Sequence, residues 1–367
     1  MKIAFLANGP GEVWGWCRPL LLESKRRHCQ VDIHLLPCPY ASGRELEALS
    51  KFSAPVFLHR SILDAVRCFS KKLSYDVILQ LGGDLMFGRF LAWKQKAPLV
   101  CYSYGLKKGM NRCSRVLTSR EGLFNCAGLE VVGDLVLDSI DDCEESKWHA
   151  PQGKRIAVFP GSRPNIRHKV FSLLNEIKKR LAQRDPQIEL RVFLSPFADC
   201  SEYKVWQEGG FTIWTGATSA GVCGADLALT QPGTNNLELM YCGIPFVVTI
   251  PYSFLRELPL SGLIGMIDKI PVFGASLRER VIRKKIPRYI GKTTWPNRLA
   301  HETFVPELIG EYSGEQLAEA VIKILSDKKL LEKQKKKFRE LTSQVTPGAS
   351  QRIFDILEKV AAEKDEQ

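Results

Sequence analysis

The sequence lacks the spacings by which small metal sites are usually recognised. Its eleven cysteines form no C-x-x-C pair, its six histidines show no H-x-x-x-H spacing, and Asp-x-Asp does not occur. An odd number of scattered cysteines is also unsuited to a disulfide framework. We therefore expect reduced thiols in a cytoplasmic protein, with no tightly held metal and no cofactor.

Long apolar runs are missing as well. No stretch without a charged residue is longer than Leu239 to Leu255, which is shorter than the about 20 residues that a membrane-spanning helix needs and contains Pro245 and Pro251. At the start of the chain the apolar run stops at Ala7 and Asn8-Gly9-Pro10 follows, which does not fit a secretory signal. We expect a protein that crosses no membrane.

Acidic residues are fewer than basic ones, 40 against 52, so the net charge is +12. The excess is concentrated in a run from Arg278 to Lys292. This run is either a solvated basic surface or a binding surface for anionic lipid or nucleic acid. Because the preceding segment, Phe254 to Phe273, is apolar and no RNA-binding or zinc-finger signature occurs, segment 254–292 favours a membrane over nucleic acid.

The length of 367 residues suits about two domains. Short apolar runs alternate with amphipathic stretches, which predicts α/β lobes with doubly wound parallel sheets and a ligand cleft between them. The polar segment Asp141 to Lys154 predicts a linker, hence domains 1–150 and 151–346, with a final helix over 347–367. Predicted strands are Ile3 to Ala7, Val31 to Leu36, Val77 to Leu81, Leu99 to Tyr102, Val131-Val132, Ile156 to Phe159, Glu189 to Leu194, Phe211 to Trp214, Leu227 to Leu229 and Phe246 to Ile250.

Two glycine turns in the second half predict an anion site. Thr230 to Glu238 reads as strand, turn and helix start, which aims backbone N–H groups around Gly233, Thr234 and Asn235 at one point. The earlier turn Phe159 to Arg163 contains Gly161 and Ser162 and adds a guanidinium, which matches phosphate oxygens. Together they suggest a diphosphate or nucleoside diphosphate.

Simpler roles stay open for these polar residues. Thr234 and Asn235 are helix caps on one interpretation and phosphate donors on the other. Glu238 lies three residues after Asn235, the spacing of a capping box, yet a carboxylate there also suits two ribose hydroxyls.

Two carboxylates of the first half are candidates for proton transfer. Glu12 follows Gly11 in the turn after the first strand, where it either compensates a helix dipole or acts in catalysis. Asp84 follows Gly82-Gly83 after a buried strand, as an N-cap or as a base for an acceptor hydroxyl. Pro10 departs from G-x-G-x-x-G, so dinucleotide binding is disfavoured.

An ordered set of segments resembles the lipid-A-disaccharide synthase family, inverting glycosyltransferases of the GT-B fold. Singly each segment is weak, but they keep the family's order across nearly the whole chain. The segments are Gly11-Glu12-Val13-Trp14-Gly15, Phe159-Pro160-Gly161-Ser162-Arg163, Gly233-Thr234 with Leu237-Glu238 before Gly243-Ile244-Pro245, Pro296-Asn297-Arg298-Leu299-Ala300 with Val305-Pro306-Glu307-Leu308, Phe338-Arg339-Glu340-Leu341, and Gly348-Ala349-Ser350-Gln351-Arg352.

The resemblance implies a GT-B fold with two Rossmann-like domains, whose final helix crosses back to the first. It implies that Arg163, Thr234 and Glu238 hold the UDP part of a donor. The segment beside the sugar and diphosphate is then Asn297 to Glu302, which includes His301.

The implied reaction moves an acylated glucosamine from UDP to a lipid-linked glucosamine 1-phosphate, with inversion and without a metal. By the same likeness Asp84 is the leading general base, with Glu12 as the alternative. The implied location is the inner face of the cytoplasmic membrane, reached through segment 254–292. No nucleic-acid partner is expected, and a homodimer stays open.

Departures from the family pattern fall mostly in the first lobe, which handles the acceptor. Trp14 and Trp16 stand where the family carries Ser and Asp, Tyr102 to Gly109 replaces an aromatic-rich Ser-Pro segment, and Gly133-Asp134-Leu135 replaces a His-Pro pair. Three alternatives therefore stay open: another lipid-linked acceptor, a UDP-sugar epimerase, and a non-catalytic nucleotide-binding homologue.

Overall fold

The structure, a computed structural model, describes residues 1–38, 41–140, 148, 153–252 and 290–365. The chain forms two compact units, Met1–Ser139 with Gln344–Gln367, and Ile140–Ser343. The predicted domain boundary at 150/151 and most of the predicted membrane segment 254–292 lie outside the described residues.

The first unit is built on a seven-stranded parallel sheet in the order β3-β2-β1-β4-β5-β6-β7. β1 and β4 are apolar along nearly their whole length and buried on both faces, as strands of a covered parallel sheet are. The strands are β1 Lys2–Ala7, β2 Gln30–Leu35, β3 Val56–Leu58, β4 Val77–Leu81, β5 Leu99–Tyr102, β6 Arg115–Thr118 and β7 Leu129–Val131.

Helices connect these strands. They are α1 Pro10–Glu12, α2 Arg18–Arg26, α3 Glu45–Leu49, α4 Ile62–Phe69, α5 Leu85–Gln95 and α6 Leu135–Asp138, with a π-helical turn at Val13–Cys17 and a 3₁₀ turn at Met110–Arg112.

The strand order reverses between β1 and β4, which pair directly, for example Leu6 with Gln80. In open α/β sheets a ligand crevice opens beyond the carboxyl ends of the strands at such a reversal.

The second unit repeats this plan with six parallel strands in the order β10-β9-β8-β11-β12-β13. The reversal lies between β8 and β11, where Val158 pairs with Leu229. The strands are β8 Arg155–Val158, β9 Glu189–Phe193, β10 Thr212–Trp214, β11 Leu227–Thr230, β12 Phe246–Pro251 and β13 Glu307–Gly310. The helices are α7 Pro164–Arg184, α8 Cys200–Glu208, α9 Thr218–Val222, α10 Asn235–Tyr241, α11 Trp295–Ala300, α12 Gly314–Ser326 and α13 Lys328–Thr342.

The last helix, α14 Ala349–Asp365, packs against the first unit. Its Phe354 meets Phe5 of β1 edge to face, with ring centroids 6.4 Å apart. Asp138 accepts hydrogen bonds from the backbone N–H and the hydroxyl of Ser350, both at 2.7 Å. The sequence prediction of doubly wound parallel sheets with a returning final helix is confirmed.

Differences from the sequence prediction lie in short elements. β3, β6 and β13 have three or four residues each and were not predicted, because so few positions show no periodicity. Ser313, the N-cap residue of α12, accepts a hydrogen bond from the Gln316 backbone N–H, at 3.2 Å. Among the described residues, no helix is both long and apolar enough to cross a bilayer.

Candidate functional site

The two glycine turns of the second unit meet at its strand reversal. One turn follows β8 and the other follows β11, and Gln231 of the second donates from Nε2 to the carbonyl oxygen of Pro160 in the first, at 3.3 Å. Gly161 has a φ of +96°, and a Cβ added there would lie 2.9 Å from Gln231 Oε1. Only glycine fits at this position, because it combines a left-handed conformation with a close neighbour.

A partly buried ion pair beneath the first turn was not foreseen from the sequence. Arg167 is 1% exposed and binds Glu202 through two hydrogen bonds of 2.6 Å, and it also donates to the carbonyl of Ser162. Burial would raise the pKa of Glu202, but the hydrogen bond and charge of Arg167 lower it overall. This pair anchors the turn from below.

Arg163 is placed at the start of α7 by this anchored turn. It is the N-cap residue of the helix, its side chain makes no capping bond, and it is only partly buried. Its side chain is thus partly withdrawn from solvent, with Nε buried, near the strand reversal where the sequence predicts a phosphate contact.

Side-chain amides within the second turn stabilise it. Asn235 donates from Nδ2 to the Thr230 hydroxyl at 2.6 Å, and Asn236 donates to the Gln231 carbonyl at 3.0 Å. Thr234 is the N-cap residue of α10 and makes no side-chain capping bond. Glu238, one turn into the helix, is 8% exposed. These contacts hold Gly233 and Thr234 in position over β11.

The segment from Asn297 to Glu302 lies beside this turn, since α11 packs against α10. Asn297 is 1% exposed, and its amide is fully engaged. Nδ2 donates to the Val305 carbonyl and the Glu307 carboxylate, at 2.9 and 3.0 Å, while Oδ1 accepts from the backbone N–H groups of Phe304 and Val305. Asn297 therefore shapes the loop that precedes β13.

His301 and Glu302 follow at the end of α11. His301 is exposed and takes a φ of +50° at the C-cap. Glu302 pairs with Lys333 at 2.6 Å and Lys337 at 3.3 Å, and these two lysines lower its pKa. Glu302 thus lies against the lysines of α13.

In the first unit, the turns after β1 and β4 meet around Glu12. Its Oε2 accepts from the Gly9 backbone N–H at 2.6 Å, so the carboxylate does cap α1. A Cβ on Gly82 would lie 2.9 Å from Glu12 Oε1, and one on Gly83 would lie 2.2 Å from Asn8 Oδ1. Burial raises the pKa of Glu12, opposed by the Gly9 N–H and by Lys107. Asn8 Oδ1 is buried without a hydrogen-bond partner.

Asp84 has the predicted N-cap role in α5. It is exposed, and its Oδ1 accepts from the Met86 backbone N–H at 2.9 Å. The turn that carries it is held by Gln80, which donates to the carbonyls of Gly82 and Asp84 at 3.1 and 2.7 Å. Gln80 is fully buried, and a glutamine inside the apolar strand VILQL was the available signal for it.

An aromatic cluster, formed by Trp16, Tyr102 and Tyr104, lies at the same end of the sheet. The rings meet edge to face, with centroids 4.9 to 5.9 Å apart. Tyr104 donates its hydroxyl proton to the buried Asp134, the N-cap of α6. Tyr102 donates to the Gly133 carbonyl at 3.1 Å and accepts from the Leu135 N–H at 3.2 Å.

Comparison with known protein families supports the resemblance seen in the motifs. The family model described as "LpxB: Lipid-A-disaccharide synthetase" matches residues 130–267, which include both glycine turns of the second unit. The lipid-A-disaccharide synthase of Gluconobacter oxydans is 31% identical over 141 residues, 36% of this chain and 28% of that protein. That of Anaeromyxobacter dehalogenans is 26% identical over 206 residues, 54% of this chain and 48% of that protein. The chain thus spans less than half the length of these relatives.

Solved structures show the same architecture. MurG of Acinetobacter baumannii has a TM-score of 0.56 at 16% identity and covers 98% of this chain and 99% of its own. The calicheamicin glycosyltransferase CalG4 has a TM-score of 0.58 at 13% identity, with coverage of 99% and 98%. MnaA of S. aureus, solved with UDP, has a TM-score of 0.57 at 16% identity, with coverage of 96% and 95%. The predicted GT-B fold is confirmed.

Proposed function

We propose that this chain is a glycosyltransferase of the lipid-A-disaccharide synthase type, which moves an acylated glucosamine from UDP to a lipid-linked glucosamine 1-phosphate with inversion. One observation carries the proposal. The two glycine turns that meet at the strand reversal of the second unit, with Arg163 beside them, fall within the residues that match the family. A parallel sheet binds its ligand at this position.

In the proposed mechanism the second unit holds the UDP part of the donor. Negative charge grows on the departing diphosphate, and Arg163 with the backbone N–H groups around Gly233 and Thr234 stabilises it. The carboxylate of Glu238 accepts hydrogen bonds from the ribose hydroxyls. Because these groups supply the positive charge, the proposed reaction runs without a metal. Arg167 and Gln231 contribute indirectly, because they hold the two turns in position relative to each other.

The first unit supplies the base in this proposal, and two carboxylates compete for the role. Asp84 is exposed, so its carboxylate is accessible to a bound hydroxyl. Glu12 is partly buried beside Gly82, and its raised pKa suits a general base better than that of an ordinary carboxylate does. Both residues flank the turn of Gly82 and Gly83, so both are candidates for the base.

We further propose that the first unit rests on an anionic membrane surface, where a lipid acceptor resides. Large apolar side chains are exposed on α4 and on α5, which packs against it; Leu63 is 66% and Trp93 is 68% exposed. Exposed basic residues surround them: Arg67, Lys71, Lys72, Lys94 and Lys96. Near anionic lipid each such residue contributes about 1 kcal/mol, so several localise a protein reversibly.

The test is an assay for UDP release and disaccharide formation with UDP-diacylglucosamine and diacylglucosamine 1-phosphate. Disaccharide formed by the wild type and lost in Arg163→Met supports the proposal. Turnover of UDP-sugar without acceptor would replace it by an epimerase. UDP binding without product would move the search to another acceptor or to a non-catalytic homologue.

A further inference from the structure

Three side chains of the first unit bring nitrogen and sulfur atoms to one point. His34 lies in β2, His59 directly follows β3, and Cys68 lies in α4. One ligand atom from each lies within 4.8 Å of the other two. His34 is fully buried, His59 is 4% exposed, and Cys68 is partly exposed. The cluster thus joins an edge strand and a helix to the interior of the sheet.

The hydrogen bonds around His34 determine which of its nitrogens carries the proton. Tyr75 donates its hydroxyl proton to the carboxylate of Asp32 at 2.8 Å, and Asp32 pairs with Lys2 at 3.2 Å. The Tyr75 oxygen therefore accepts from His34 Nε2–H, 2.9 Å away. His34 Nδ1 is left as the lone-pair nitrogen, and it faces His59 Nε2 at 3.1 Å.

This chain from His34 to Tyr75 and Asp32 is the kind of support that metal-binding histidines have. A ligating imidazole almost always donates its other N–H to a carboxylate or another acceptor, which sets the tautomer and the ring orientation. Phe57 stacks on the His34 ring with centroids 4.9 Å apart, and Phe69 meets both imidazoles edge to face at 5.2 Å. These rings form apolar walls on two sides of the imidazoles.

The distances suit a tetrahedral ion. Zinc binds nitrogen at about 2.0–2.1 Å and thiolate at about 2.3 Å, so tetrahedral neighbours lie roughly 3.3 Å apart for two nitrogens and 3.6 Å for nitrogen and sulfur. The two facing imidazole nitrogens are 3.1 Å apart. The Cys68 sulfur lies within 4.8 Å of both imidazole nitrogens. A shift of about 1 Å, within reach of a Cys68 side-chain rotation, brings the sulfur to the spacing of a third zinc ligand.

We propose that His34 Nδ1, His59 Nε2 and Cys68 Sγ bind a zinc ion, with water as the fourth ligand on the partly exposed side of Cys68. Binding releases the thiol proton of Cys68 to solvent. The His59 proton moves from Nε2 to Nδ1 through exchange with water, so one proton leaves for each ion bound. Nitrogen and sulfur ligands select zinc over magnesium or calcium, which prefer oxygen. This site ties α4 to β2 and is independent of the transferase proposal.

The inference departs from the prediction of no metal, which rested on sequence spacing. The ligands are 25 and 9 positions apart and come from three elements, so no short motif records them. A buried pair of hydrogen-bonded histidines that serves only packing would account for the same contacts without the thiol. Cys68 therefore distinguishes the two explanations.

The test uses the full chain, freed of metal with a chelator and titrated with Co²⁺ and then with Zn²⁺. We expect one equivalent of Co²⁺ to produce a thiolate-to-cobalt charge-transfer band that Zn²⁺ removes, and we expect Zn²⁺ to raise the Tm. Cys68→Ser should lose the band and the Tm increase. Cys200→Ser, which changes an exposed cysteine of the second unit, should keep both.

Melting of the metal-free variants shows whether each is folded, so loss of binding is separated from loss of structure. His59→Gln is the second variant, and it should weaken Co²⁺ binding at least tenfold. A wild type without a charge-transfer band, or a Cys68→Ser protein that binds Co²⁺ with the same spectrum and stoichiometry as the wild type, would overturn the proposal.

Discussion

Trp16 donates its indole N–H to the hydroxyl oxygen of Tyr104, 88 positions later in the chain, at 3.3 Å. Tyr104 in turn donates to Asp134. All three residues stand where the sequence departs from the pattern of the family that it resembles. These departures form one packed and hydrogen-bonded cluster at the end of the sheet, next to the turn that carries Glu12. These contacts show that the three departures are structurally coupled.

Tyr104→Phe should separate acceptor handling from donor binding. The change removes one hydrogen bond that the buried Asp134 accepts, while its bond from the Val136 backbone N–H remains, so the expected loss of stability is about 0.5–1.5 kcal/mol. We expect a lower Tm and a raised KM for the lipid acceptor, with unchanged UDP affinity. Tyr312→Phe, in the second unit, is the control. A changed UDP affinity with an unchanged acceptor KM would remove the assignment of this cluster to the acceptor.

Arg163→Met should weaken UDP binding, whereas a purely structural role of the side chain predicts only lost stability. In the proposed donor site the change deprives the diphosphate of a charge-assisted contact, worth about 1.5–3 kcal/mol or roughly 10- to 150-fold in Kd. Isothermal titration with UDP and a melting curve measure the two effects. Arg184→Met, at the other end of α7, should change neither by much. Equal UDP affinity in both variants would exclude Arg163 from the donor site.

Arg167→Met should destabilise the second unit. The Arg167 side chain is 1% exposed and that of Glu202 is 24% exposed, so the loss should exceed the about 0–1 kcal/mol of a surface pair and stay below the about 3–5 kcal/mol of a fully buried one. Glu202 has a lowered pKa in the folded protein, so it stabilises the fold at neutral pH, and this contribution is lost as the pH falls below its ordinary value of 4.5.

Urea unfolding of Arg167→Met, Glu202→Gln and the double variant measures this coupling. We expect the double variant to be less destabilised than the sum of the single changes. Additive losses would mean that the two side chains act separately, and that the turn is held in another way.

Glu12→Gln should stabilise the first unit at neutral pH. Burial raises the pKa of Glu12 in the folded protein, so the ionised form is disfavoured there, and the wild type gains stability as the pH falls through that raised pKa toward 4.5. Glutamine keeps the acceptor for the Gly9 N–H and carries no charge. The Tm of the variant should exceed that of the wild type at pH 7, and the difference should shrink on acidification.

The same variant tests the choice of base. If Glu12 takes the acceptor proton, Glu12→Gln lowers kcat by about 10²–10⁴ and Asp84→Asn has a much smaller effect. The reverse order assigns the base to Asp84. Both variants at wild-type kcat would contradict either assignment.

Exchange of exposed apolar residues on α4 and α5 should weaken membrane binding. Leu63→Gln combined with Trp93→Gln removes apolar surface worth about 25 cal/mol per Å² on insertion. We expect less co-sedimentation with vesicles that contain anionic lipid, and release of the wild type by salt. Val205→Gln, an exposed apolar position in the second unit, is the control. Equal loss in the control, or binding that salt does not affect, would contradict the proposed surface.

Much of the candidate site followed from local sequence. Gly233 and Thr234 stand between an apolar run and a helix start, and a glycine there already predicts a turn with free N–H groups. Asp84 was correctly predicted as a possible N-cap, since Asp before a helix has a local partner two residues on. Asn297 shows the limit of such arguments, because its amide is engaged with backbone groups eight residues away.

The amino-acid sequence by itself determined the βαβ rhythm, the glycine turns and the order of the matching segments, because each depends on residues close together in the chain. Only the tertiary structure decided that Arg167 lies beneath Ser162, that Trp16 meets Tyr104, and that His34, His59 and Cys68 converge. These contacts join residues from different elements, and strand order and register determine which of them meet. A buried polar residue shows in the sequence that it needs a partner, whereas packing alone selects which partner it has.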